Sequence, residues 1–122
     1  MKPARFSLRA RARSFQYAWQ GIITFLQREH NAWLHLIATI GVMVLAWITG
    51  ITKTELLALV LVIGFVWVAE MFNTCIERMM DFISRGKHPD IKFIKDLAAG
   101  AVLVAALTAL ITGAIIFIPK FL

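Results

Sequence analysis

The sequence predicts an all-α membrane protein with three transmembrane helices and an amphipathic surface helix near its amino terminus. Three observations carry this. The chain is 60% hydrophobic with a mean hydropathy of +0.76, which suits an integral membrane protein and not a soluble one. Three stretches, about 32–49, 55–72 and 97–118, are apolar and long enough to cross a bilayer. The basic residues are unevenly spread. Six Lys or Arg precede Glu29 and five more (Arg78, Arg85, Lys87, Lys92, Lys95) lie between the second and third stretches. The first turn holds only Lys53 and the far end only Lys120.

Taken in order, residues 1–12 read as a basic leader with Lys2, Arg5, Arg9 and Arg11. Over 13–27 the pattern is helical. Phe15, Ala18, Trp19, Ile22, Phe25 and Leu26 form an apolar stripe, and Arg13, Gln16, Gln20, Thr24 and Gln27 a polar one. Such a helix suits the membrane surface or a partner's flank. The first span has Trp33 and Trp47 near its ends, where aromatic residues favour the interface. Gly50 to Glu55 is a short turn, so the second span returns antiparallel, and its helix continues to about Ser84. Residues 85–90 are turn chemistry, followed by a polar connection to Asp96. The third span carries no charge and is expected to stop at Pro119. Along it Ala101, Ala105, Ala109 and Gly113 form a small-residue ridge that admits another helix.

With 122 residues there is room for one domain, 1–122. The first 28 residues offer no apolar core for a signal peptide. The single Cys75 excludes an intrachain disulfide and reads as a small buried hydrophobe. The net charge of +6 lacks an aromatic-basic pattern for nucleic acid, and topology accounts for it. By the positive-inside tendency the amino terminus and second loop are cytoplasmic and the carboxyl terminus is outside.

The stretch from Glu70 to Asp81 stands apart. It follows a run, Leu56 to Ala69, without a charge. On a continuing helix Glu70, Asn73, Glu77 and Asp81 fall within an arc of roughly 80°. Glu70 lies about 22 Å along the helix from Glu55, near the far edge of a hydrocarbon core of about 30 Å. Glu77, about 10 Å further, belongs among headgroups or in water. Intramembrane carboxylates cost about 2.5–3.5 kcal/mol at mid-bilayer on insertion scales, so function is the first expectation for Glu70, and snorkelling or ion pairing the second. At that depth it suits a general base. Glu77 and Glu29 suit a hydrated Mg²⁺ or are ordinary solvated charges. Asn73 orients a ligand or bridges helices. Lys95-Asp96 offers a phosphate-pairing cation beside an acid, or plain helix-end charges. His35 reads as a buried hydrogen-bonding residue, and His88 sits in a loop. No phosphate loop, protein-kinase signature or dinucleotide fingerprint is present, so charged helix faces and the loop must hold any nucleotide.

The chain resembles the small prokaryotic diacylglycerol kinases, a family that includes the undecaprenol kinases. The likeness rests on Tyr17-Ala18-Trp19-Gln20-Gly21, Glu29-His30-Asn31, the E-x-x-N-T-x-I-E-x-x-x-D stretch at 70–81, and Lys95-Asp96-Leu97-Ala98-Ala99-Gly100-Ala101-Val102. Phe72, Cys75 and Met80 depart from the commonest family choices, none of them at a chemical group. The resemblance implies a homotrimeric membrane kinase that transfers the γ-phosphate of ATP, with Mg²⁺, to a membrane lipid alcohol, its active sites shared between neighbours. It implies Glu70 as catalytic base and Glu29 and Glu77 as metal-holding carboxylates that also meet the nucleotide. Tyr17, His88, Lys95 and Asp96 match nucleotide-contacting positions; Trp19, Asn73 and Ala99, with Glu70, match substrate-positioning ones. The family's early arginine falls near Ala10, with Arg9 and Arg11 on either side. The Glu29-x-Asn31-x-x-x-His35 pattern looks more like the undecaprenol branch, with diacylglycerol a close second. From another class, a non-catalytic membrane assembly or a cation or proton transporter would need polar groups across the bilayer. Here they gather at one side.

Overall fold

The computed structural model describes residues 5–122, so Lys2 of the basic leader lies outside the described residues. They form four helices and no strand: α1 (Leu8–Arg28), α2 (His30–Thr49), α3 (Lys53–Ile83) and α4 (Pro89–Phe121). The last three are long and apolar enough to cross a membrane. The chain divides into two compact units, Met1–Leu36 and Ile37–Leu122.

In the first unit α1 begins earlier than the leader reading expects. Ser7 caps it, its hydroxyl accepting from the Ala10 N–H at 3.3 Å, so Arg9 and Arg11 are helical. Of the expected apolar stripe only Phe25 is buried; Phe15 and Trp19 are exposed and left uncovered by the chain itself. Glu29 is the single non-helical residue between α1 and α2, on extended backbone with φ −107° and ψ 120°. Its N–H donates to the Phe25 carbonyl and its own carbonyl accepts from the Ala32 N–H.

In the second unit Gly50 ends α2 at φ 68°, a left-handed conformation that glycine adopts without Cβ strain. Thr52 and Glu55 then form a reciprocal capping box for α3, each side chain accepting from the other's backbone N–H. Ala46, Leu59, Ile116 and Phe117 make the core at this end. Lys120 and Glu55, 3.2 Å apart, tie the end of α4 to the start of α3. Midway, the Trp67 indole donates to the Thr39 hydroxyl at 3.0 Å, satisfying two polar groups that lipid could not.

α3 and α4 pack along one another. At about 1.5 Å per residue, 31 and 33 residues outreach a hydrocarbon core of about 30 Å, so both run beyond it. Two expectations for α4 are corrected. It begins at Pro89, not near residue 97, because proline is preformed for the first helical position and the His88 imidazole caps the Asp90 N–H at 3.1 Å. It also runs through Pro119 to Phe121, since the missing N–H falls in the last turn, where little helix remains to disrupt. The small-residue ridge is spent partly within the chain. Ala105 is wholly buried and Ala109 and Gly113 half-buried, while Ala101 is exposed.

Candidate active site

The buried stripe of α3 changes character along its length. Leu59 and Val66 are buried, and Glu70 follows on the same face at 6% exposure, the one buried charged side chain among the described residues. Asn73, Glu77 and Asp81 continue that face toward the loop. A carboxylate is thus folded inward and is not turned toward acyl chains. Burial of this kind is costly, which makes Glu70 a candidate functional group.

Past Glu70 the polar groups join in two pairs. The Asn73 carboxamide donates through Nδ2 to Glu77 Oε1 at 3.1 Å. Its Oδ1 is buried and has no hydrogen-bond partner. An orphaned buried acceptor costs about 1–3 kcal/mol. One turn further, Asp81 Oδ1 and Lys95 Nζ lie 2.6 Å apart and join α3 to α4. Lys95 holds the Asp81 carboxyl below its ordinary value of 3.8, burial opposes this, and Arg85 and Arg78 add to the lowering.

Lys95 and Asp96 therefore have separate ion-pair partners. Lys95 reaches across to α3, whereas Asp96 pairs with Lys92 along α4. His88 is a helix cap and not a loose loop residue. Ala99 is exposed on α4. Cys75, expected to be buried, is exposed, because it lies about 160° around α3 from the Leu59–Glu70 stripe. Tyr17 and Trp19 are exposed on α1, Glu29 is half-buried at the α1–α2 break, and His35 is half-buried on α2. The sequence reading assigns no role to Asp81 or Lys92. The i, i+4 spacing of Lys92 and Asp96 is a readable signal; the Asp81–Lys95 pair depends on how α4 returns along α3.

Among the described residues no three His, Cys, Asp or Glu side chains cluster as a metal-holding group. Mg²⁺ needs less from a protein: one or two carboxylates, with substrate phosphates and waters completing the shell. The Glu77 carboxylate beside the orphaned Asn73 oxygen is a hard-oxygen donor set of that kind.

The molecule is an all-helical membrane protein in which one stripe of α3 turns from apolar to acidic and meets a cation, Lys95, from α4. The model for the prokaryotic diacylglycerol kinases matches residues 16–117. The undecaprenol kinase of Bacillus subtilis (strain 168) is 36% identical over 108 residues, 88% of each chain. The diacylglycerol kinase of Synechocystis sp. is 32% identical over 110 residues, covering 89% of this chain and 63% of that protein. The chain belongs to the prokaryotic diacylglycerol kinase family, and membership makes it an ATP-dependent membrane lipid kinase.

Proposed function

We propose that the protein phosphorylates a membrane lipid alcohol, undecaprenol ahead of diacylglycerol, with Glu70 as general base. The observation that carries this is the inward-folded Glu70 at the head of the Asn73–Glu77 pair. Glu70 accepts the proton of the lipid hydroxyl as its oxygen attacks the γ-phosphorus of ATP. The P–O bond to ADP breaks as the new P–O bond forms, and ADP leaves with the bridging electrons. Asn73 fixes the Glu77 carboxylate through its amide and turns its free oxygen to the reacting groups. Glu29 and Glu77 would hold Mg²⁺, which when bound offsets charge on the phosphoryl group. For the protein the work is largely positioning.

Tyr17, His88, Lys95 and Asp96 are read as nucleotide-contacting, and Trp19, Asn73 and Ala99 as positioning the lipid. The loop between α3 and α4 is read as cytoplasmic, where ATP is available, and the enzyme as a homotrimer with sites shared between subunits. Support for undecaprenol comes from the relative that aligns over most of both chains, together with the 29–35 pattern. Transport is disfavoured by how the spans dispose of their polar groups. The hydroxyls of Thr108 and Thr112 donate to carbonyls of their own helix at 2.8 Å, leaving α4 no polar path.

The test is phosphate transfer from labelled ATP in mixed micelles offering undecaprenol and diacylglycerol in competition. Labelled undecaprenyl phosphate as the main product is expected. Dominant phosphatidic acid reverses the lipid assignment, and no labelled lipid at all overturns the kinase reading.

A further inference from the structure

Asp81 is unused by the chemistry above, yet it is tied directly to the neighbouring helix. Its Oδ1 lies 2.6 Å from Lys95 Nζ on the neighbouring helix. Both side chains are partly open, at 46% and 37%, so the pair faces the medium from which a nucleotide arrives. A lysine ammonium has three donors, and one bond to Asp81 leaves two for phosphate oxygens. Free in solution, a lysine side chain samples many rotamers, and ordering it on binding ATP is an entropic cost. A carboxylate that already holds the ammonium removes part of that cost before ATP arrives.

We propose that Asp81 is a positioning residue for the nucleotide: it fixes Lys95 at the α3–α4 boundary so that the ammonium meets the phosphates preset. This rests on the reading of Lys95 as a nucleotide-contacting residue. Depth decides which kinetic constant responds. Asp81 lies about 16 Å along α3 from Glu70, so the Lys95 ammonium is held well away from the phosphorus under attack. Asp81 therefore acts on ATP binding and not on the chemical step.

The measurement is KM for ATP, KM for lipid and kcat, in mixed micelles, for wild type, D81N, D81E, K95A and D81N/K95A. Exposed ion pairs sit at the low end of the energy scale, so D81N raises KM for ATP about fivefold. The values of kcat and KM for lipid stay within about twofold. D81E, which keeps the charge but displaces the ammonium, raises KM for ATP about twofold. Adding D81N to K95A changes KM for ATP by less than about twofold, because the residue acts only through Lys95. An unchanged or lowered KM for ATP in D81N overturns the proposal, the lowered value because it makes Asp81 a competitor of the phosphates. An equal penalty in the K95A background also overturns it. If D81N does not assemble, D81E decides alone, and an unmoved KM for ATP refutes the role. A wild-type protein that transfers no phosphate defeats the kinase reading itself. Transfer that ignores both Asp81 variants defeats only this inference.

Discussion

Glu70 and Asp81 share one stripe of α3 but live under different rules. Glu70 is buried, and burying a carboxylate in a membrane protein is costly. Asp81, about 16 Å further along α3, is part-exposed, where an ion pair is weak and readily exchanged. Its folded carboxyl titrates below the ordinary value of 3.8, first because Lys95 donates to it. The sign follows. The tie is fully present above 3.8 and is lost only as pH falls through the lower, folded value. Thermal melting of wild type and D81N in detergent should therefore differ by a constant gap from neutral pH to about 5, closing only in strong acid. A gap that closes between pH 7 and 5 would mean that some other group holds Lys95.

At the scale of elements, the spans were readable because apolar length is a strong signal, and the acidic row because its three-four-four spacing permits one helical face. The ends were harder. Pro89 and Asp90 read as a turn, although proline at a first helical position with an acid beside it is equally a start signal. Ser7 gives a weak start signal, because the residues after it are basic and only weakly periodic. The Asp81–Lys95 pair spans fourteen residues and a change of helix, so no local pattern could announce it. Of the small residues along α4, Ala105 is wholly buried. Ala105→Leu should destabilise the helix pair by about 1–3 kcal/mol through overpacking, seen as a lower midpoint in detergent unfolding. An unchanged midpoint would mean that α4 is held to α3 by its ends alone.

For the whole molecule, the two ends of the helical hairpin are built for different work. One carries the Thr52–Glu55 capping box, the Lys120 tie and the aliphatic core; the other carries acids, an amide and cations. The aliphatic anchor and the polar row are thereby separated along the length of α3. That the polar groups would gather at one end was legible in the sequence; that Glu70 would be folded inward, with Asn73 presenting a bare oxygen beyond it, was not.

The most direct measurement is lipid phosphorylation by Glu70→Gln, read beside its ATP affinity and its helical content in the same micelles. The side chain keeps its size and loses its basicity, so turnover should fall by about 10²–10⁴-fold while the fold and most of the nucleotide affinity remain. Turnover near that of wild type would contradict the account, because the one buried carboxylate of the stripe would then have no part in the reaction.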